Sequence, residues 1–75
     1  MVLEKIKEML ENQLGIDKSK ITMDSDIVKD IGADSLDIIE LLMDAESEWG
    51  ITIDDEVVKD FHTVGDVVRY IESHI

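Results

Sequence analysis

The chain has 75 residues, with nineteen Asp and Glu against seven Lys and Arg, a formal net charge of −12, and neither Cys nor Pro. A chain this short buries only a modest core, and without Cys it has no disulfide or thiolate metal site to supplement that core. The charge argues against nucleic acid or an anionic membrane as partner, since either would repel the chain, and points to basic proteins.

The excess is uneven. Residues 1–20 balance four Lys against four acids, whereas residues 21–56 carry Lys29 alone against twelve acids, a net of −11. From Val2 to Leu14 charges of both signs interrupt the apolar residues, so this stretch has neither the apolar run of a signal peptide nor the length of a membrane span. A cytoplasmic location is the expectation.

In chain order, Leu3, Ile6, Leu10 and Leu14 form one helical stripe with Gly15 at the stop position, which predicts a first helix over 2–14. Ile16 to Ala33 shows no sustained period and is rich in Asp, Ser and Thr, so it reads as a long loop with a short helical turn near Ile27 to Asp30. Loops of this length are functional or are themselves packed, and Ile21, Ile27, Val28 and Ile31 are the residues expected to pin this one to the core. A second helix is predicted from Asp34 or Ser35 to about Trp49, stopped by Gly50. Asp54-Asp55-Glu56 suits the positive end of a short third helix that continues through Val57, Val58 and Phe61. Thr63-Val64-Gly65-Asp66 has capping-box spacing and opens a fourth helix through Val67, Val68 and Ile71. Ile51-Thr52-Ile53 alternates like a strand but is too short and too isolated to make a sheet. The expected fold is all-α: a single domain over residues 1–75, a four-helix bundle with one short member and a long loop between helices one and two.

On a helical wheel with Leu36 at zero, Ile38, Leu41, Leu42, Ala45 and Trp49 fall between about 140° and 240° and form the buried stripe. Leu36, Ile39 and Met43 fall between about 300° and 360°, on the far side, bordered by Glu40, Ser47 and Glu46. Either another element covers this second apolar face, with the long loop as the candidate, or the face is an interaction surface inside an acidic rim. Burying it would desolvate Glu40 and Glu46, which have few basic partners, and this favours the interaction surface. A flexible Met at its centre suits repacking against several partners.

Catalysis by the chain itself is not expected. Gly32-Ala33-Asp34-Ser35-Leu36 is not a Gly-x-Ser-x-Gly elbow, and His62 and His74 have no recognisable spacing to a nucleophile. Asp24-Ser25-Asp26 opens like a calcium loop, but Val28 and Lys29 stand where an acid or amide and a Gly are required, so no dedicated metal site is expected. Diffuse binding of divalent cations among the acids stays open. Ser35 has two readings: an N-cap of the second helix, or a modification site whose phosphate ester would meet free N–H groups at a helix start. Asp34 and Asp37 would repel a dianion, so a singly charged phosphodiester fits better than simple phosphorylation.

Gly32-Ala33-Asp34-Ser35-Leu36-Asp37, followed by Glu40-Leu41, Trp49, Ile53, Asp55-Glu56 and Thr63-Val64, resembles an acyl carrier protein of the dissociated bacterial fatty-acid synthase type, over essentially the whole chain. The resemblance implies that Ser35 receives 4′-phosphopantetheine from coenzyme A through a magnesium-dependent transferase, and that the terminal thiol holds acyl groups as thioesters. It implies too that Asp34, Leu36, Asp37, Ile39, Glu40, Met43 and Glu46 form a docking surface for basic patches on fatty-acid synthesis enzymes. Acyl chains would be sheltered among core aliphatics such as Leu42, Ala45 and Ile53, in a monomer that is a carrier and not an enzyme. The chain departs from the family pattern at Asp54, where Pro is common and whose absence should loosen the start of helix three, and at Ile38, Asp44 and Ser47. These departures leave a carrier for polyketide, peptide or other acyl groups as an alternative, beside an unmodified acidic helical adaptor in which Ser35 is only a cap.

Overall fold

The stripe of Leu3, Ile6, Leu10 and Leu14 becomes α1, Val2–Leu14, which buries Val2, Ile6 and Leu10 and holds Leu3 and Leu14 half-buried at the edge of the core. Gly15 ends it with φ of 70°, a left-handed turn in which its N–H donates to the Glu11 carbonyl at 2.9 Å. The computed structural model describes residues 2–75 and adds α2 at Ser35–Trp49, α3 at Asp55–Val58 and α4 at Val64–His74. The all-α four-helix bundle is the observed fold, and α1 lies against both α2 and α4. Among the described residues the only strand-like feature is one antiparallel bridge between Asp26 and Thr63, so Ile51 to Ile53 forms no strand.

The long loop is packed. It contains a 3-10 turn at Lys18–Lys20, which the residue pattern did not announce, capped by the Asp17 carboxylate accepting from the Ser19 N–H at 2.9 Å. Ile21, Ile27 and Ala33 are fully buried and Ile31 half-buried, whereas Val28 is 58 % exposed, contrary to the expectation that it pins the loop. The reason is local geometry. The Asp30 N–H donates to the Asp26 carbonyl at 3.0 Å, making one helical turn in which Ile27 and Ile31 share a face and Val28 points away from it.

The start of α4 is sewn to this loop by backbone bonds. The N–H groups of Ile27, Val64 and Gly65 donate to the carbonyls of His62, Ser25 and Met23 at 2.9, 3.0 and 2.8 Å. Thr63 caps α4 in the expected box with Asp66, whose Oδ2 also accepts from the His62 N–H at 2.9 Å. Loop and helix can approach this closely because residue 65 has no side chain: a Cβ there would lie 2.8 Å from the Met23 carbonyl oxygen. Gly65→Ala gains at most about 1 kcal/mol of helix propensity, while forcing an atom into backbone costs about 1–3 kcal/mol. The clash outweighs the propensity, and the variant should melt several degrees below the parent in a thermal scan followed by circular dichroism.

Amides donating from His62 and Thr63 hold the Asp66 carboxyl below its ordinary 3.8, and amides of Lys29 and Val28 do the same for Asp26. A lowered folded-state value means stability that is complete above the unfolded value and lost as pH falls through the folded one. The stability gap between the parent and Asp66→Asn should therefore be widest near neutrality and close as pH drops below about 3.8. Urea unfolding at a series of pH values measures it, and a gap independent of pH would show that the carboxylate charge is not what holds the cap.

Candidate functional site: the first turn and outer face of α2

Ser35 is the first helical residue of α2, not its cap. Asp34 holds the N-cap in an extended conformation, and the two carboxylates bond reciprocally: Asp34 Oδ1 accepts from the Asp37 N–H at 3.0 Å and Asp37 Oδ2 from the Asp34 N–H at 3.2 Å. The N-cap reading of Ser35 is thereby corrected, and the deciding signal was in the sequence. A capping box needs an acceptor three residues after the cap; Asp34 has Asp37 there, while Ser35 would have Ile38.

The displacement by one residue has chemical consequences. The Ser35 hydroxyl is exposed and has no hydrogen-bond partner among the described residues. The amides of Ser35 and Leu36 belong to the first turn, where helix geometry supplies no acceptor. Just upstream Gly32 turns the chain with φ of 80°, and Ala33 is buried with its N–H donating to the Ile27 carbonyl at 3.0 Å. Ser35 thus projects a free hydroxyl from a backbone anchored on both sides.

The wheel holds along the helix. Leu41, Leu42 and Ala45 are buried, Ile38 and Trp49 half-buried, and Leu36, Ile39 and Met43 stand 62, 48 and 62 % exposed. The long loop does not cover them. Asp34 and Glu40 are exposed beside them; Asp37 is half-buried, and its carbonyl accepts from Gln13 Nε2 of α1 at 2.7 Å. Gln13 was not singled out in the sequence, because a contact across 24 residues leaves no local pattern.

Glu46 has a second duty. Its Oε2 accepts from the Ile53 N–H at 2.6 Å, and its carbonyl accepts from the amides of Gly50 and Ile51 at 2.8 and 3.2 Å. One residue therefore ties the 50–53 connection to the end of α2 and holds Ile53, which is buried in the core cluster. With Asp54 in place of Pro and no side-chain bond capping α3, this tie is the principal restraint on the approach to that helix. No group of three or more acids and histidines gathers into a metal site among the described residues, and Asp26, the acid most suggestive of one, accepts from the amides of Val28 and Lys29 instead.

A protein-family profile described as the phosphopantetheine attachment site matches residues 4–71. The chain is 50 % identical over 74 residues to an acyl carrier protein of Clostridium acetobutylicum, spanning 99 % of this chain and 96 % of that one. It belongs to the acyl carrier protein family. A second member, from Thermotoga maritima, is 42 % identical over 99 % of this chain and 91 % of its own. The solved structure of the acyl carrier protein from Enterococcus faecalis superposes with a TM-score of 0.84 at 34 % identity, covering 99 % of this chain and 94 % of that one. Acyl carrier proteins are carriers and not enzymes, and their prosthetic group is 4′-phosphopantetheine. The start of α2 fits such a group: an exposed hydroxyl can bear a phosphodiester, and first-turn amides favour its single negative charge.

Glu46→Ala should remove the acceptor of the Ile53 amide and cost about 1–2 kcal/mol, within the range for a charge-assisted bond at a half-buried site. Glu46→Gln keeps an acceptor and should cost less. Hydrogen exchange read by NMR should show Ile53 losing protection in the Ala variant; equal protection in both variants would mean that the carboxylate is not the tie.

Proposed function

We propose that Ser35 is the residue that bears 4′-phosphopantetheine, and that the outer face of α2 presents it to the enzymes of fatty-acid synthesis. The observation that carries this reading is the position of Ser35 at the first turn of α2, its hydroxyl exposed and unbonded beside a capping box that belongs to its neighbours. Attachment joins Ser35 Oγ to the phosphorus of the phosphopantetheine half of coenzyme A in a transferase. The pyrophosphate bond breaks, 3′,5′-ADP leaves, and the hydroxyl proton passes to a base of that enzyme. When bound, the group supplies the thiol that forms thioesters with acyl chains, a thiol the chain lacks because it has no Cys.

The chain's own residues do the rest. Asp34 and Asp37 fix the start of the helix, so the attachment point has one orientation and its charge meets the positive end of the α2 dipole. Leu36, Ile39 and Met43 give partners an apolar centre, and Asp34, Asp37, Glu40 and Glu46 give a negative rim that attracts the basic surfaces of the transferase and synthase enzymes. Leu42, Ala45 and Ile53 line the part of the core into which an acyl chain would be drawn. We read residues 1–75 as a single carrier domain acting as a cytoplasmic monomer. Acyl carrier proteins from bacteria that align with nearly its whole length support the single domain.

Intact mass spectrometry after incubation with coenzyme A, Mg²⁺ and a phosphopantetheinyl transferase tests the assignment. The parent should gain one phosphopantetheinyl unit and Ser35→Ala none, with both proteins giving the same circular dichroism. An unmodified parent would favour the acidic adaptor, and an increment that survives Ser35→Ala would move the attachment to another residue.

A further inference from the structure

The chain holds four methionines and no Cys, so its own oxidisable sulfurs are all thioethers. They are not equally placed. Met9 and Met23 are half-buried and packed against the core cluster, whereas Met43 lies outside that cluster and is 62 % exposed. Oxidation of a thioether depends on access to its sulfur and converts a flexible apolar side chain into a polar one. Of the methionines among the described residues, Met43 is therefore the one that an oxidant in solution reaches first.

Its surroundings decide which oxidant acts and with what result. Met43 follows Ile39 by four residues and Leu36 by seven, so the three share one helical face, and the exposed carboxylates of Glu40 and Asp44 stand beside it. Those charges repel an anionic oxidant and leave the approach of neutral hydrogen peroxide unaffected. Ser47, exposed one turn further along the helix, brings a hydroxyl that can donate to a new oxygen. The oxidised side chain thus gives the helix no cause to rearrange, since it leaves no gap in the core and lacks no donor. What changes is the face. A partner that covers the sulfoxide oxygen with apolar surface strips it of its donors, which is unfavourable.

We propose that Met43 is a reversible oxidation site through which peroxide weakens docking of the carrier. A lone pair of the Met43 sulfur takes one oxygen of hydrogen peroxide, so that an S–O bond forms as the O–O bond breaks. The proton of the transferred oxygen passes to the departing hydroxide, which leaves as water; the sulfur is oxidised and the peroxide reduced. A methionine sulfoxide reductase restores the thioether, two thiols being oxidised to a disulfide while the oxygen departs as water. This rests on the reading of the outer face of α2 as the docking face. The polarisable sulfur that lets Met43 adapt to several partners is the same atom that makes the face sensitive to peroxide. Because an acyl thioester leaves no free thiol, a loaded carrier has Met43 as its most accessible thioether, and oxidation withholds it from enzymes with its cargo in place.

The test starts from the unmodified protein, in which no thiol competes. After limited exposure to hydrogen peroxide and its removal by catalase, peptide mass mapping should place an added oxygen on Met43 ahead of Met9 and Met23, and the thermal melt should not move. Transfer from coenzyme A to the oxidised protein should then show KM raised about tenfold at unchanged kcat, the scale of one apolar side chain withheld from an interface. Sulfoxide reductases for both epimers should restore KM, and peroxide should leave the KM of Met43→Leu where it stood before treatment. Oxidation of Met9 or Met23 first, or a KM indifferent to oxidation of Met43, would overturn the proposal. Ile39→Asp separates this from the reading beneath it. A KM that rises with Ile39→Asp but not with the sulfoxide refutes the oxidation site alone; a KM that responds to neither removes the docking face as well. A parent that gains no phosphopantetheinyl unit removes the carrier reading itself.

Discussion

The reciprocal hydrogen bonds between Asp34 and Asp37 set the first residue of α2, and the character of Ser35 follows from that one boundary. If Ser35 were the cap, its oxygen would accept from an amide two or three residues on and its hydroxyl would be committed to the helix. With Asp34 as cap, two carboxylates satisfy each other's backbone and the serine is left with a free nucleophile at the positive end of a fifteen-residue helix. The rotation of the helix follows instead from the burial of Leu41, Leu42 and Ala45, which leaves Leu36, Ile39 and Met43 on the exposed face.

Carboxylate-to-amide bonding is the wider device by which so acidic a chain holds together. Among the described residues there are three ion pairs, Lys5 with Glu48, Lys7 with Glu4, and Arg69 with Asp66, and all have at least one exposed partner. Exposed pairs of this kind contribute little. Asp17, Asp26, Asp34 and Glu46 accept instead from backbone N–H groups at a turn, a cap or a connection, and Asp66 does so with its second oxygen beside its Arg69 pair. An amide is a donor that brings no countercharge, so these acids organise the loops while the net charge stays intact. The acids without such duties, Glu40 and Asp44 among them, remain exposed.

Periodicity made the helices and the two faces of α2 legible in the sequence, because a helix repeats its environment every three to four residues and fifteen residues sample both sides fully. The loop was legible as a packed segment with a helical turn near Ile27 to Asp30, but not in which of its side chains reach the core. Whether Val28 or its neighbours reach the core depends on one helical turn between Asp26 and Asp30, and the Asp26 to Thr63 bridge joins residues with no local signature in common. Asp37 and Gln13 likewise meet only after α1 and α2 have packed, and Glu46 reaches Ile53 only once the chain has turned at Gly50. The Asp34 cap differs from these. Its partner lies three residues away, and weighing Asp37 against Ile38 as the reciprocal acceptor would have identified it.

A carrier that visits enzymes in turn must bind each one well enough to be oriented and loosely enough to leave. Three exposed apolar side chains fall far short of the 1,200–2,000 Å² or so buried by stable complexes, so the outer face of α2 suits short residence. The central charge compensates on the other side of the rate balance: net −11 over residues 21–56 speeds encounter with basic surfaces without deepening the bound well, because rim charges act mainly on association and are screened by salt. Orientation then has to come from shape and hydrogen bonding rather than from area. Weak affinity and the proposed presentation of Ser35 are then compatible, because affinity depends on the total area and charge engaged, while presentation depends on where a few directional contacts are placed around the helix.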